Sequence, residues 1–164
     1  MTRERGLALL SILAAGLALG VAIGSERLGG LVPCALCLVE RWPYRIALAL
    51  GVLALVLPRR AARPVLLLLA LVVLGDAAIA FVHVGVEQGW WKSPLPECAA
   101  PHFTGGSIAQ MLAHMPARPS KPCDSPTYLI PGLPLSMALL NMLYALVFSL
   151  GLAALVARGR RSGT

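Results

Sequence analysis

The chain has 164 residues, of which 58% are hydrophobic and 13% are charged. A soluble domain carries about 25% charged residues, so this composition excludes an ordinary water-soluble globule and also a disordered chain. The net charge is +7, but the basic residues lie at the edges of long apolar blocks and are not interleaved with aromatic residues, which disfavours a nucleic-acid surface and favours an integral membrane protein.

The first apolar block, residues 6–25, contains no charged side chain. At 1.5 Å per residue, it is long enough for a hydrocarbon core about 30 Å thick. Arg3 and Arg5 precede the block, so a cleaved signal peptide is an alternative. We favour a retained span, because the block is longer than a usual signal core.

The second predicted span covers residues 35–57 and contains several residues that are unusual in a bilayer. Residues 44–57 alone are too few to cross, and a longer helix must include Glu40, Arg41 and Pro43. Pro43 fits most easily in a first helical turn. We therefore expect the beginning of this segment at a membrane surface, partly dipping into it.

The third and fourth predicted spans are residues 64–84 and 133–157. Asp76 interrupts the third, at a cost of about 2.5–3.5 kcal/mol for a central acid, but a run of leucines and valines offsets it. An intramembrane acid raises a functional hypothesis, although holding helices together is the simpler role for Asp76 and for Asn141 in the fourth span.

Arginines indicate the orientation of the four spans. The N-terminal tail, the turn at 58–64 and the C-terminal tail contain only one acid. Their basic residues are Arg3, Arg5, Arg59, Arg60, Arg63, Arg158, Arg160 and Arg161. By the positive-inside rule, both termini and this turn face the cytoplasm, while the loops 26–43 and 85–132 face the other side. We thus predict one membrane domain, 1–164, an all-α four-helix bundle.

All four cysteines fall in the two external loops, where disulfides can persist. Cys34 and Cys37 form a Cys-x-x-Cys pair at the entrance of the second span, where the helix N-terminus stabilises a thiolate. Arg41, about one turn further on, adds a fixed positive charge. The pattern favours electron transfer; half of a zinc site and an inert structural bridge are the alternatives.

Cys98 and Cys123 bracket a loop that is rich in proline and glycine. Taken alone, this pair is best interpreted as a structural disulfide. Between the two cysteines, apolar residues repeat with helical spacing from Ile108 to Met115, and Ser107 is a candidate N-cap. We predict a short interfacial helix in this second external loop. His83, near the outer end of the third span, is by itself more typical of a packed residue than of a ligand.

Together, these motifs resemble the family of bacterial disulfide bond formation protein B (DsbB), a quinone-linked membrane oxidase. The segments that carry the resemblance are Cys34-Ala-Leu-Cys37-Leu-Val-Glu-Arg41, then His83-Val-Gly-Val-Glu-Gln-Gly-Trp90, and then the pair Cys98 and Cys123. The resemblance covers nearly the whole chain. It implies a four-helix bundle in the bacterial inner membrane, with both termini cytoplasmic and the redox loops in the periplasm.

The resemblance also implies a mechanism and its partners. Two disulfides, Cys34–Cys37 and Cys98–Cys123, would act in relay between a thioredoxin-like periplasmic protein similar to DsbA and a membrane quinone, ubiquinone or menaquinone. The partner would attack Cys98, and the freed Cys123 would pair with Cys34 and leave Cys37 as a thiolate. Arg41 and His83 would lie at the quinone. No metal is expected.

Two other functions are compatible with this sequence. A vitamin K epoxide reductase-like oxidase uses a similar bundle, but its loop cysteines precede the membrane Cys-x-x-Cys, whereas this chain has the reverse order. A non-enzymatic membrane subunit would use its cysteines only to brace external loops. Thiol trapping separates the alternatives, because a scaffold keeps static bonds whereas an oxidase exchanges them.

Overall fold

The computed structural model describes residues 3–98, 121–130 and 132–161. Its helices are α1 Arg3–Arg27, α2 Ala35–Val39, α3 Arg41–Val56, α4 Arg59–Glu87 and α5 Met137–Arg161, and a 3₁₀ turn spans Pro96–Cys98. Within these ranges there is no strand beyond two isolated bridges. The all-α prediction is confirmed, whereas the interfacial helix predicted between Ser107 and Met115 lies outside the described residues.

Three helices, α1, α4 and α5, are long and apolar enough to cross a membrane. The second predicted span is divided at Glu40, which separates the five-residue α2 from α3. With 16 residues, α3 is only about 24 Å long, less than a hydrocarbon core. Pro43 lies in the first turn of α3, where its missing N–H costs no hydrogen bond. A fourth crossing and the cytoplasmic position of the termini stay predictions.

Small residues allow the helices to approach closely. In the bundle, α4 packs against both α3 and α5, while α3 also packs against α1. The shared core includes the fully buried Ala15, Ala47 and Ala145. A Cβ added at Gly51 would lie 2.7 Å from Ile12 Cγ1, so this contact between α1 and α3 requires glycine. Leucines such as Leu13 project outward from the bundle, as expected for a lipid-facing surface.

The two ends of the bundle differ in charge. At one end, which we name the arginine end, Glu4 of α1 accepts from Arg59 Nε at 2.8 Å and lies 3.9 Å from Arg63 Nε. The cysteines lie at the opposite end, because Cys34 contacts His83, which is one turn before the end of α4. This separation matches the loop assignment predicted from the arginines.

Candidate redox site

Cys34 and Cys37 are free thiols whose sulfur atoms lie 2.7 Å apart. Cys34 is the N-cap of α2, and its Sγ accepts a hydrogen bond from the Cys37 N–H at 3.2 Å. The pKa of Cys34 is lowered from its ordinary value, mainly by the neighbouring Cys37 thiol and to a smaller extent by the Cys37 N–H. Burial and the charge of Glu40 oppose this and raise the pKa. The geometry thus favours a thiolate at Cys34 and leaves the pair a short movement from a disulfide.

His83 connects this pair to a buried carboxylate. Its Nε2 lies 3.4 Å from Cys34 Sγ, and its Nδ1 lies 2.7 Å from Glu40 Oε1. His83 is 2% exposed and Glu40 is 7% exposed. Glu40 is placed here because the chain turns between α2 and α3 at this residue. The result is a series Cys34–His83–Glu40 in which the carboxylate orients the imidazole, as in other thiol sites with a paired base.

The other two cysteines form a disulfide, Cys98–Cys123, with a Cα–Cα distance of 4.9 Å. Both lie in one buried cluster with Cys34, and Val86 of α4 belongs to the same cluster. Residue 121 forms an isolated parallel bridge with Cys34, so the chain that leads to Cys123 runs directly beside the Cys-x-x-Cys pair. The structure therefore brings all four predicted site cysteines together.

Cys37 also faces a cavity of about 340 Å³ at the edge of the bundle. Residues from α1, from the loop after it, from the chain before α5 and from α5 itself make its walls mostly apolar, among them Leu17, Val21, Val32, Leu129 and Leu140. Arg41 lines the same cavity and donates from Nη1 to Glu26 Oε2 at 2.7 Å and from Nη2 to Ala22 O at 3.2 Å. Its Nε is buried without a partner among the described residues, and thus provides an unused donor.

A cluster of buried polar side chains lies between the cavity and the centre of the bundle. Asn141 Nδ2 donates to Glu40 Oε2 at 3.0 Å and to Asp76 Oδ2 at 3.1 Å, while Asn141 Oδ1 accepts from the Tyr44 hydroxyl at 2.7 Å. These bonds link α3, α4 and α5 beside the Cys-x-x-Cys pair. Glu40, Tyr44 and Asn141 line the cavity, whereas Asp76 lies behind it.

In a comparison with protein families, one family model covers almost the whole chain. The family described as disulfide bond formation protein DsbB matches residues 4–156. The chain belongs to the DsbB family. No curated protein and no solved structure matches the chain. Membership in the DsbB family identifies a membrane protein of disulfide bond formation and selects the predicted resemblance over the vitamin K epoxide reductase-like alternative.

Within this DsbB-family chain, the two predicted cofactor residues occupy different positions. Arg41 lines the cavity, while His83 is not among its lining residues and instead contacts Cys34. Glu40, Tyr44 and Asn141 also belong to the site, although the sequence alone did not indicate them. Only Glu40 had a local signal, since it follows Cys37 by three residues and therefore points back toward the pair when the chain is helical.

The thiols and the histidine of this DsbB-family site would also suit a metal ion. Cys34 Sγ, Cys37 Sγ and a ring nitrogen of His83 lie within 4.8 Å of one another. Two thiolates and a neutral imidazole are ligands that zinc prefers, and a carboxylate such as Glu40 on the other ring nitrogen commonly orients a metal-bound histidine. Disulfide formation consumes both sulfur ligands, so metal binding and oxidation of the pair exclude each other.

Proposed function

We propose that this DsbB-family protein oxidises the dithiol of a DsbA-like thioredoxin-fold protein in the periplasm and passes the electrons through its two cysteine pairs to a membrane quinone. One observation supports this proposal most strongly. Cys37 lines an apolar cavity at the bundle edge, while its neighbour Cys34 shares a buried cluster with the loop disulfide Cys98–Cys123. A lipid-soluble acceptor can therefore reach Cys37 through the cavity, while a protein dithiol can react with the loop disulfide.

Thiol–disulfide exchange connects the two pairs in this proposal. A thiolate of the partner attacks Cys98, and Cys123 leaves as a thiolate. Cys123 then attacks Cys34 of the oxidised Cys34–Cys37 disulfide, which forms the Cys34–Cys123 bond and releases Cys37 as a thiolate. The chain at residue 121 forms a parallel bridge with Cys34, which supports that second exchange. Cys98 and Cys123 are both buried, so the partner must first displace the chain that covers them. Cys37 is then the thiolate that remains at the cavity.

The residues around the cavity fit a quinone. A quinone, when bound, accepts two electrons and two protons. The apolar wall suits its ring and tail, while Arg41 supplies an unused Nε–H and a fixed positive charge beside Cys37. Tyr44 and Asn141 also line the cavity, but their donors are engaged by Asn141, Glu40 and Asp76, so Arg41 is the donor that we assign to a quinone oxygen. We assign His83 to the Cys34 thiol, because the imidazole contacts that sulfur atom and not the cavity.

We further propose that four segments cross the bacterial inner membrane, with α2 and α3 together forming the second. The arginine end would face the cytoplasm and the cysteine end the periplasm. Under this arrangement Glu40 and Arg41 lie near the periplasmic boundary, where α2 ends and α3 begins. Labelling that found either cysteine pair accessible only from the cytoplasm would contradict the proposal.

The deciding experiment uses the purified protein in detergent with a reduced thioredoxin-fold partner and a short-chain quinone, and follows the quinone absorbance. Wild-type protein should reduce quinone in proportion to the partner oxidised. Cys37→Ser should lose quinone reduction but still exchange its loop disulfide with the partner. Static disulfides and no quinone reduction in the wild type would support the structural-subunit alternative and refute the oxidase.

A further inference from the structure

Three arginine side chains meet around one buried acid at the arginine end of the bundle. Arg59 Nε donates to Glu4 Oε1 at 2.8 Å, and Arg63 Nε lies 3.9 Å from the same oxygen atom. Arg3, at the start of α1, donates from Nη2 to Leu155 O of α5. We name these three side chains the Arg3–Arg59–Arg63 cluster. Because Glu4 can neutralise only one guanidinium group, the cluster keeps an excess of positive charge.

The guanidinium groups of Arg3 and Arg63 converge on Gly159 of α5. A Cβ added at Gly159 would overlap Arg3 Nη1 and would lie 3.3 Å from Arg63 Nη2, so both groups reach the same small space. Arg63 Nη2 and Glu4 Oε2 are both buried without a hydrogen-bond partner among the described residues, so the acid does not bond this donor. An unpaired buried donor is costly, and two neighbouring like charges repel each other. An anion bonded to both guanidinium groups would remove both costs.

We propose that the Arg3–Arg59–Arg63 cluster binds the phosphate group of an anionic phospholipid. Guanidinium groups bind phosphate through paired N–H donors, and Arg3 and Arg63 present such donors from two different helices. In addition, α4 begins at Arg59 without a side-chain cap, so the N-terminus of this long helix also favours an anion here. The cluster lies at the opposite end of the bundle from the cysteines, so this lipid site is independent of the proposed redox function.

The residues next to the cluster favour a lipid over a free phosphate ion. Arg3 and Arg63 line one crevice together with Leu7, which follows Arg3 by one turn. The exposed Leu10 continues the same face of α1, and the exposed Leu67 follows Arg63 by one turn on α4. A ligand therefore meets positive charge at the end of the bundle and apolar side chains further in, which matches a headgroup and its acyl chains. The arginine end is also the end that we assign to the cytoplasm, where anionic lipids attract basic clusters.

The purified full chain is titrated in a neutral detergent with anionic phosphatidylglycerol, with zwitterionic phosphatidylcholine and with inorganic phosphate. Native mass spectrometry counts the bound molecules, and the unfolding temperature is recorded in parallel, because a ligand of the folded state raises it. Arg63→Gln removes the unpartnered donor, whereas Gly159→Ala keeps every charge and places a methyl group where Arg3 Nη1 lies. Arg60→Gln is the matched control, because it removes the same charge from an exposed position at the same end.

We expect the wild type to prefer phosphatidylglycerol to both other ligands and to unfold at a higher temperature when it is bound. Arg63→Gln should weaken this binding roughly 10- to 100-fold, since a charge-assisted hydrogen bond to phosphate is lost. Gly159→Ala should also weaken it, although its charge is unchanged. Arg60→Gln should cost no more than about fivefold, the general contribution of an arginine near an anionic surface.

Three outcomes would overturn the lipid site. Equal losses in Arg60→Gln and Arg63→Gln, or unchanged binding by Gly159→Ala, would show that general surface charge accounts for the binding. A response of the wild type to inorganic phosphate as large as its response to phosphatidylglycerol would show a free-anion site. No preference of the wild type for phosphatidylglycerol over phosphatidylcholine would show that the cluster binds no anionic lipid, and this comparison needs no variant.

Discussion

Replacement of Arg41 by alanine should separate the two halves of the relay. The side chain is 12% exposed, and its Nε is buried and unpartnered at the cavity, so a bound quinone oxygen would gain a charge-assisted hydrogen bond there. Such a bond contributes about 1.5–3 kcal/mol, which corresponds to roughly a 10- to 150-fold change in quinone affinity. Neither Cys98 nor Cys123 lines the cavity, so exchange of the loop disulfide with the partner should be unchanged.

The assay measures quinone affinity and turnover in one experiment and loop-disulfide exchange with a reduced partner in another. Arg45→Ala is the matched control. It removes the same charge one turn further along α3, where Arg45 is exposed and lies over the Trp42 ring, 5.0 Å from its centroid, outside the cavity. If Arg41→Ala and Arg45→Ala had the same quinone affinity and turnover, Arg41 would have no role at the acceptor and the assignment of the cavity would be wrong.

Three further predictions concern the thiols and the helix packing. Because the Cys37 thiol lowers the pKa of Cys34, the thiolate absorbance of Cys34 in the reduced protein should appear below the ordinary pH range of a free thiol, and Cys37→Ala should move it upward; an unchanged titration would contradict this. The reduced Cys34–Cys37 pair should bind Zn²⁺ and the oxidised pair should not, as measured by calorimetry; equal binding by both forms would place the metal elsewhere. Gly51→Ala should lower the free energy of unfolding by about 1–3 kcal/mol, because the added Cβ clashes with Ile12. Gly75→Ala, with open space around the added Cβ, should not. Equal stability of the two variants in thermal unfolding in detergent would refute the packing argument.

Local patterns were sufficient for the three long helices and for the position of the cysteine motif, although the turn predicted at 58–64 was wrong, since α4 already begins at Arg59. Apolar length predicted α1, α4 and α5, and the presence of charges beside Pro43 predicted that the second segment begins irregularly. The exact interruption at Glu40 could not be predicted, because its partners His83 and Asn141 are 43 and 101 residues away in the chain. A single sequence contains no signal that pairs residues at such distances.

The same limitation explains which site residues the sequence could reveal. Arg41 follows the Cys-x-x-Cys pair at helical spacing, which predicts a positive charge beside the thiols. The family resemblance adds its expected place at the quinone, and Arg41 does line the cavity. Tyr44 and Asn141 are typical of helix interfaces, and their position on the cavity depends on how α3 and α5 pack. His83 was placed at the correct end of the bundle, but its contact with Cys34 rather than the cavity follows only from the rotation of α4.

The buried acids at the two ends of the bundle are stabilised in different ways, and this difference bears on function. Glu4 is satisfied by Arg59 and has Arg63 close by, an arrangement that holds a carboxylate ionised and joins α1 to α4. Glu40 is instead paired with His83, while its second oxygen and Asp76 share one amide, that of Asn141, and Arg41 is directed to Glu26. Two buried carboxylates this close together cost stability. A bundle that needed only stability could replace them by apolar residues, so their position beside the thiols favours a role at the redox site.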